Sequence, residues 1–292
     1  MSRPIFIAVL LFTLFGCSQD PVDPNIILVP DNTAPPDLTV PRVIQENYIN
    51  KLYITLLGRK VTETELDAAL VILDQDFTSI ENRKELIQKI QSEENYYYKQ
   101  YDFMRINILS NLDTADISTQ IRIYVDLLND PQYADFYDLI ELEINKLVTL
   151  RDAPQEYAAK TIGRIALHKA CVNNPFYDEI NMGSQNFVLA MFEFFLGRNP
   201  TTAEEKSSIS MVDGIESVVF GEIGQSKADF IDIFFRSNNY FEGQVFEIYR
   251  NFLFRDPNTV EMSNATKDYK LTLDYQLLMQ DILSTDEYLG ID

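Results

Sequence analysis

The chain is short of the residues on which metal and nucleophile chemistry depend. It holds two cysteines, Cys17 and Cys171, and one histidine, His168. That leaves no room for a zinc finger, a haem-attachment box or a Cys/His cluster, and no cofactor or metal is expected. Basic residues are scarce as well, 24 against 45 acidic ones, for a formal charge of -21. Such a surface repels nucleic-acid phosphates and anionic membranes, which excludes nucleic acid as the expected partner. Glycine (10) and proline (12) are too few in 292 residues for a many-turned β architecture and favour long regular elements. What is present, 46% hydrophobic and 12% aromatic residues, suffices for a sizeable core and excludes a disordered polymer or a collagen.

Arg3 is followed by an apolar run from Ile5 to Phe15, broken only by Thr13 and ending at Gly16-Cys17. This is signal-peptide length and too short to span a bilayer. Leu14-Phe15-Gly16-Cys17 resembles the lipobox of bacterial lipoproteins, in which the cysteine is lipidated and the bond before it is cut. The resemblance implies a signal peptide over 1–16 and lipidation at Cys17, with the membrane reached through that lipid. Loss of Arg3 then leaves 23 basic against 45 acidic residues. Ser18 fits outer-membrane sorting as known for lipoproteins of diderm bacteria, and Asp20 and Asp23 are loosely similar to export signals of Bacteroidota surface lipoproteins. Periplasmic and outward-facing placements both stay open. The rest of 17–41 is polar and punctuated by Pro21, Pro24, Pro30, Pro35, Pro36 and Pro41, the composition of an extended tether. About 20 such residues at about 3.1 Å each reach on the order of 60 Å.

Beyond Pro41 apolar residues recur with helical spacing. Tyr133, Phe136, Tyr137, Ile140, Ile144, Leu147 and Val148 fall on one face and predict a buried stripe. Only 215–220 is ambiguous between helix and strand. One pattern occurs three times: Leu57-Gly58-Arg59 with Thr62 and Glu65, Leu196-Gly197-Arg198 with Thr201 and Glu204, and Leu253-Phe254-Arg255 with Asn258 and Glu261. Each is preceded by apolar residues on one helical face: Ile49, Leu52, Tyr53 and Leu56; Val188, Met191, Phe192 and Phe195; Val245, Ile248, Tyr249 and Phe252. Each is followed by an amphipathic segment leading to a Ser and a Tyr: Ser92 and Tyr96, Ser237 and Tyr240, Ser284 and Tyr288.

The pattern predicts a helix-turn-helix corner. The first helix stops at a left-handed glycine cap, and Thr62, Thr201 or Asn258 opens the next with a capping box closed by the glutamate. Phe254 replaces the glycine in the third copy, so a different cap geometry is expected there. Arg59, Arg198 and Arg255 are read as structural, either capping a helix C-terminus or pairing with a nearby carboxylate. The unit resembles a short helical repeat of unknown function in bacterial secreted and surface-layer proteins, and related corners occur in cytochrome-associated domains of planctomycetes. The resemblance covers residues 46–98 and 184–290. It implies an all-α fold, a helical repeat or irregular multi-helix bundle, divided here into a region 42–183 with the first repeat and a region 184–292 with the second and third. With no C-x-x-C-H present, a redox role does not carry over.

His168 lacks the second histidine of a metalloprotease helix and is read as packing or surface, and Cys171 as a small buried apolar residue. Asp256-Pro257-Asn258 lacks the spacing and glycine of an EF-hand loop. Three consecutive tyrosines cannot all point inward from a helix, so Tyr96, Tyr97, Tyr98 and Tyr101 form the candidate ligand or partner patch. Asp113-Thr114-Ala115 resembles the O-glycosylation acceptor of exported Bacteroidota proteins. The expected function is a lipid-anchored, non-enzymatic interaction or accessory protein of the outer membrane, with another envelope protein as partner. Surface glycan binding through the tyrosines is the alternative, and an envelope hydrolase using an Asp/Glu pair the third reading.

Overall fold

Residues 40–74 and 76–291 are described by the computed structural model of the chain; the lipobox, Cys17 and the tether up to residue 39 lie outside the described residues. Pro41, with φ fixed at -52°, opens α1 (Arg42–Leu57), and α2 (Glu63–Leu73), α3 (Ile80–Gln91) and α4 (Glu94–Ile108) follow. An insertion follows: α5 (Thr114–Leu128), a 3₁₀ turn (Pro131–Phe136), α6 (Tyr137–Ala158), α7 (Arg164–Val172) and α8 (Pro175–Ile180). Next come α9 (Ser184–Leu196), α10 (Thr202–Val212), strands β1 (Ser217–Val219) and β2 (Glu222–Gly224), and α11 (Lys227–Arg236). The chain continues through α12 (Asn238–Ile248), α13 (Thr259–Thr272), α14 (Tyr275–Leu283) and α15 (Asp286–Leu289). The fold is all-α, fifteen α-helices with one small hairpin among the described residues. None of these helices is long and apolar enough to cross a membrane.

The apolar faces of α1, α9 and α12 enter a common core, with Ile49, Leu52 and Leu56, then Val188, Met191 and Phe195, then Val245 and Ile248 all buried. Gly58 and Gly197 end α1 and α9 in the left-handed region at φ 73° and 61°. Phe254 adopts the same conformation, φ 56° and ψ 29°, so the expected difference in cap geometry is not found. What differs is the turn before it, Tyr249–Leu253, which is π-helical. The carbonyl of Ile54 near the end of α1 accepts from Lys99 Nζ of α4 at 3.0 Å. A lysine from a neighbouring helix thus meets the negative end of that dipole.

The described residues from 40 to 291 fall in one compact unit. The C-terminal end of the chain docks on α1 and α3. Tyr48 Oη of α1 donates to Leu283 O at 3.1 Å, Lys51 Nζ donates to Tyr288 O at 2.8 Å, and buried Arg83 of α3 pairs with Asp286 at 2.7 Å. Helix α12 crosses α9 so closely that a Cβ on Gly243 would stand 2.2 Å from Phe195 O. The ambiguous run 215–220 contributes β1, which turns into β2 through Phe220-Gly221, both at positive φ as a two-residue hairpin requires.

The predicted stripe of the insertion is a correction. Of Tyr133, Phe136, Tyr137, Ile140, Ile144, Leu147 and Val148, only Leu147 is fully buried, and Phe136 is exposed. Tyr133 and Phe136 lie in the 3₁₀ turn, where the helical period does not hold. Helix α6 packs on α5 as a two-helix hairpin, and none of its first ten residues is fully buried. Its second half carries buried Leu147, Leu150, Ala153 and Tyr157 into the body against α4 and α7.

Candidate functional site

At each corner the arginine and the glutamate six residues on meet fork to fork. Arg59 donates to both oxygens of Glu65 at 2.8 and 2.6 Å, Arg198 to Glu204 at 2.8 and 2.7 Å, and Arg255 to Glu261 at 2.7 Å twice. One oxygen of each carboxylate also accepts the backbone N–H of Thr62, Thr201 or Asn258, at 2.9, 2.8 and 2.7 Å. Each capping side chain returns the favour to the glutamate N–H, closing all three capping boxes. The arginine fork holds the Glu65 and Glu204 carboxyls well down, to about 2, against a partial desolvation cost. Each guanidinium has a further acceptor that the sequence pattern did not flag: Glu93 at 3.4 Å, Asn239 at 3.1 Å, and Glu287 at 2.5 Å. These acceptors follow the Ser of each repeat within three residues, the signal that would have found them. The arginines are spent on protein carboxylates rather than presented to a ligand.

The tyrosine patch is a second correction. Tyr96, Tyr97 and Tyr101 are buried, because α4 is enclosed by α1, α6 and α7. Tyr97 packs edge-on against Tyr96 and against Tyr157, each at 5.1 Å. Only Tyr98 reaches the surface, where its hydroxyl donates to Glu94 at 3.0 Å. The four residues do not form a binding platform.

His168 is buried in α7 among Phe195, Phe235 and Tyr240, with Nδ1 3.0 Å from Tyr240 Oη. Burial, reinforced by the charge of Arg164, pushes its pKa well below the ordinary range, so the ring is neutral. Cys171 is fully buried, and burial pushes its thiol up to about 12. Neither is placed to attack a substrate. Among the described residues no cluster of three His, Cys, Asp or Glu can hold a metal ion. Thr114 stands exposed at the start of α5, behind its cap Asp113.

Arg164 is a hub that the sequence did not announce. It is buried, donating through Nε to Gln244 at 3.1 Å and through Nη1 to Gln100 at 2.6 Å. Its Cζ lies 3.6 Å from the Tyr275 ring centroid, and Nη2 is 3.7 Å from Glu247. One side chain of the insertion thereby joins α4, α12 and α14. Desolvation raises the Glu247 carboxyl, with Arg164 opposing. Beside Arg164 opens a cleft of about 520 Å³ between α3, the α6–α7 turn and the α13–α14 turn. Its walls are polar, with Gln88, Gln276, Tyr97, Tyr157 and Lys160 among them.

The second candidate surface is apolar. Phe136, at the end of the 3₁₀ turn, and Leu139 and Leu142, at the start of α6, are 56, 56 and 50% exposed, while Ile123 and Val125 are exposed on α5. Comparison with protein-family models, with curated proteins and with solved structures gives no match.

Proposed function

We propose that the chain is a lipid-anchored, non-enzymatic interaction protein of the bacterial outer membrane, an accessory subunit held to its site through Cys17. The observation that carries this reading is the row Phe136, Leu139 and Leu142 on the α5–α6 hairpin, apolar yet left in water. Contiguous exposed apolar side chains rimmed by polar ones are the surface a protein partner covers. Here the rim is acidic, with Asp130, Asp135, Asp138 and Glu141 around them in sequence. An acidic rim favours a partner with basic flanks and disfavours an anionic membrane surface. The non-enzymatic part is supported by the corner arginines being paired with carboxylates and by the burial of His168 and Cys171. The glycan-binding alternative drew on a tyrosine platform that the core takes up.

The experiment has two arms. Metabolic labelling with an alkyne fatty acid in a diderm host should mark the wild type and not Cys17→Ala. Affinity capture from mild-detergent extracts should bring down one envelope protein in stoichiometric amount. An unlabelled wild type contradicts the anchor, and a monomer without a partner contradicts the accessory role.

A further inference from the structure

We infer that the α5–α6 hairpin receives a basic amphipathic α-helix of the partner protein, laid along its open flank as the third helix of a bundle. This rests on the proposal above that the hairpin is the docking surface, and it names the element that docks there. The less exposed residues Ile121 and Tyr124 of α5 and Ile140 and Ile144 of α6 mark the sides on which the two helices face each other. Counted at about 100° a residue from those lines, Ile123 and Leu139 turn to the same flank of the antiparallel pair. Leu127 stands one turn beyond Ile123, and Phe136 one turn before Leu139, so the four side chains form an apolar strip across both helices. Ile123, Phe136 and Leu139 stay exposed, so no described part of the chain covers that strip.

The charge around the strip selects the occupant. Between Ile121 and Leu142 the one basic residue is Arg122, against Asp126, Asp130, Asp135, Asp138 and Glu141, all exposed. These five take part in no ion pair among the described residues, the pair Lys146–Glu143 lying further along α6. A second copy of the chain would set the carboxylates against their own kind, and an anionic bilayer would repel them. A partner segment with Lys or Arg flanking an apolar stripe matches both the strip and its rim. A helix is the fitting form, because two antiparallel helices present ridges at i, i+3 and i+4 spacing. The same spacing on a third helix interlocks with them at axis separations of about 8–10 Å. An extended segment would need a strand edge to satisfy its backbone, and α5 and α6 offer none.

Calorimetric titration of the full chain in mild detergent, against a blank of detergent alone, tests this with three peptides of equal length. The first is built of leucine and lysine with the leucines at helical spacing, the second has glutamate for each lysine, and the third is the first interrupted by two prolines. The basic helical peptide should bind saturably at 1:1, about tenfold or more tighter than the other two, and should gain helicity on binding. Ile123→Ser with Leu139→Ser should weaken it about tenfold. Asp135→Asn with Asp138→Asn should weaken it severalfold and reduce its salt dependence. All four positions are exposed, so these variants keep the fold. No saturable binding, equal binding of the acidic or the proline-interrupted peptide, or binding indifferent to Ile123→Ser with Leu139→Ser overturns the helix assignment. The docking surface itself fails separately: an envelope protein captured by the wild type and lost on combining Phe136→Ser, Leu139→Glu and Leu142→Glu upholds that surface even where the peptide does not bind.

Discussion

Arg59 and Glu65 hold each other through two hydrogen bonds while the same carboxylate caps α2. One side chain thus fixes both the angle of the corner and the start of the helix. The arrangement recurs at Arg198–Glu204 and Arg255–Glu261, which explains why the spacing of the repeat is invariant where its lengths elsewhere are not.

The corner glutamates make the fold acid-sensitive. Glu65 and Glu204 titrate near 2 in the folded chain against an ordinary value of 4.5, so the unfolded chain binds more protons between those limits. Their contribution is present above about pH 4.5 and is lost as pH falls toward 2. Glu204→Ala should cost about 1–2 kcal/mol at neutral pH, through the lost cap and ion pair, and should flatten the decline of melting temperature with acid.

His168 adds a second pH window at higher pH. Because burial keeps it neutral when folded, the unfolded chain alone takes up the proton below about 6.5. Stability should fall by about 1.4 kcal/mol per pH unit below that point from this group. Denaturant titrations of His168→Gln between pH 7 and 5 should lack that slope, whatever the offset at neutral pH.

Gly243 separates two physical effects of opposite sign. In an ordinary helix Gly→Ala stabilises by up to about 1 kcal/mol. Here the new methyl would meet Phe195 O at 2.2 Å, so Gly243→Ala should lower stability by about 2–3 kcal/mol in a denaturant titration.

Phe254 holds a left-handed backbone with its side chain 83% exposed. Little packing is lost on removing it. Phe254→Gly should raise stability by about 0.5–1 kcal/mol, since the relief of the left-handed strain exceeds the added freedom of the unfolded chain.

The corners were legible because each is written within a dozen residues: an apolar face, a cap and a glutamate three positions on. That is local chemistry, and α1–α2, α9–α10 and α12–α13 follow it. Phe254 misled because a residue that disfavours positive φ nevertheless takes the same left-handed cap as Gly58 and Gly197. Tyr96, Tyr97 and Tyr101 misled because their burial is decided by α6 and α7, from the insertion that bears no repeat signal. Arg164 could not be read at all, since its partners Gln100, Gln244 and Tyr275 come from distant parts of the chain.

The most direct test of the account combines Phe136→Ser, Leu139→Glu and Leu142→Glu in one tagged chain and compares it with wild type in affinity capture from native membranes. All three side chains are at least half exposed, so the melting temperature should be unchanged. The account predicts a stoichiometric envelope partner with the wild type that disappears with the variant. Retention of that partner by the variant, or its absence from the wild type, would contradict it.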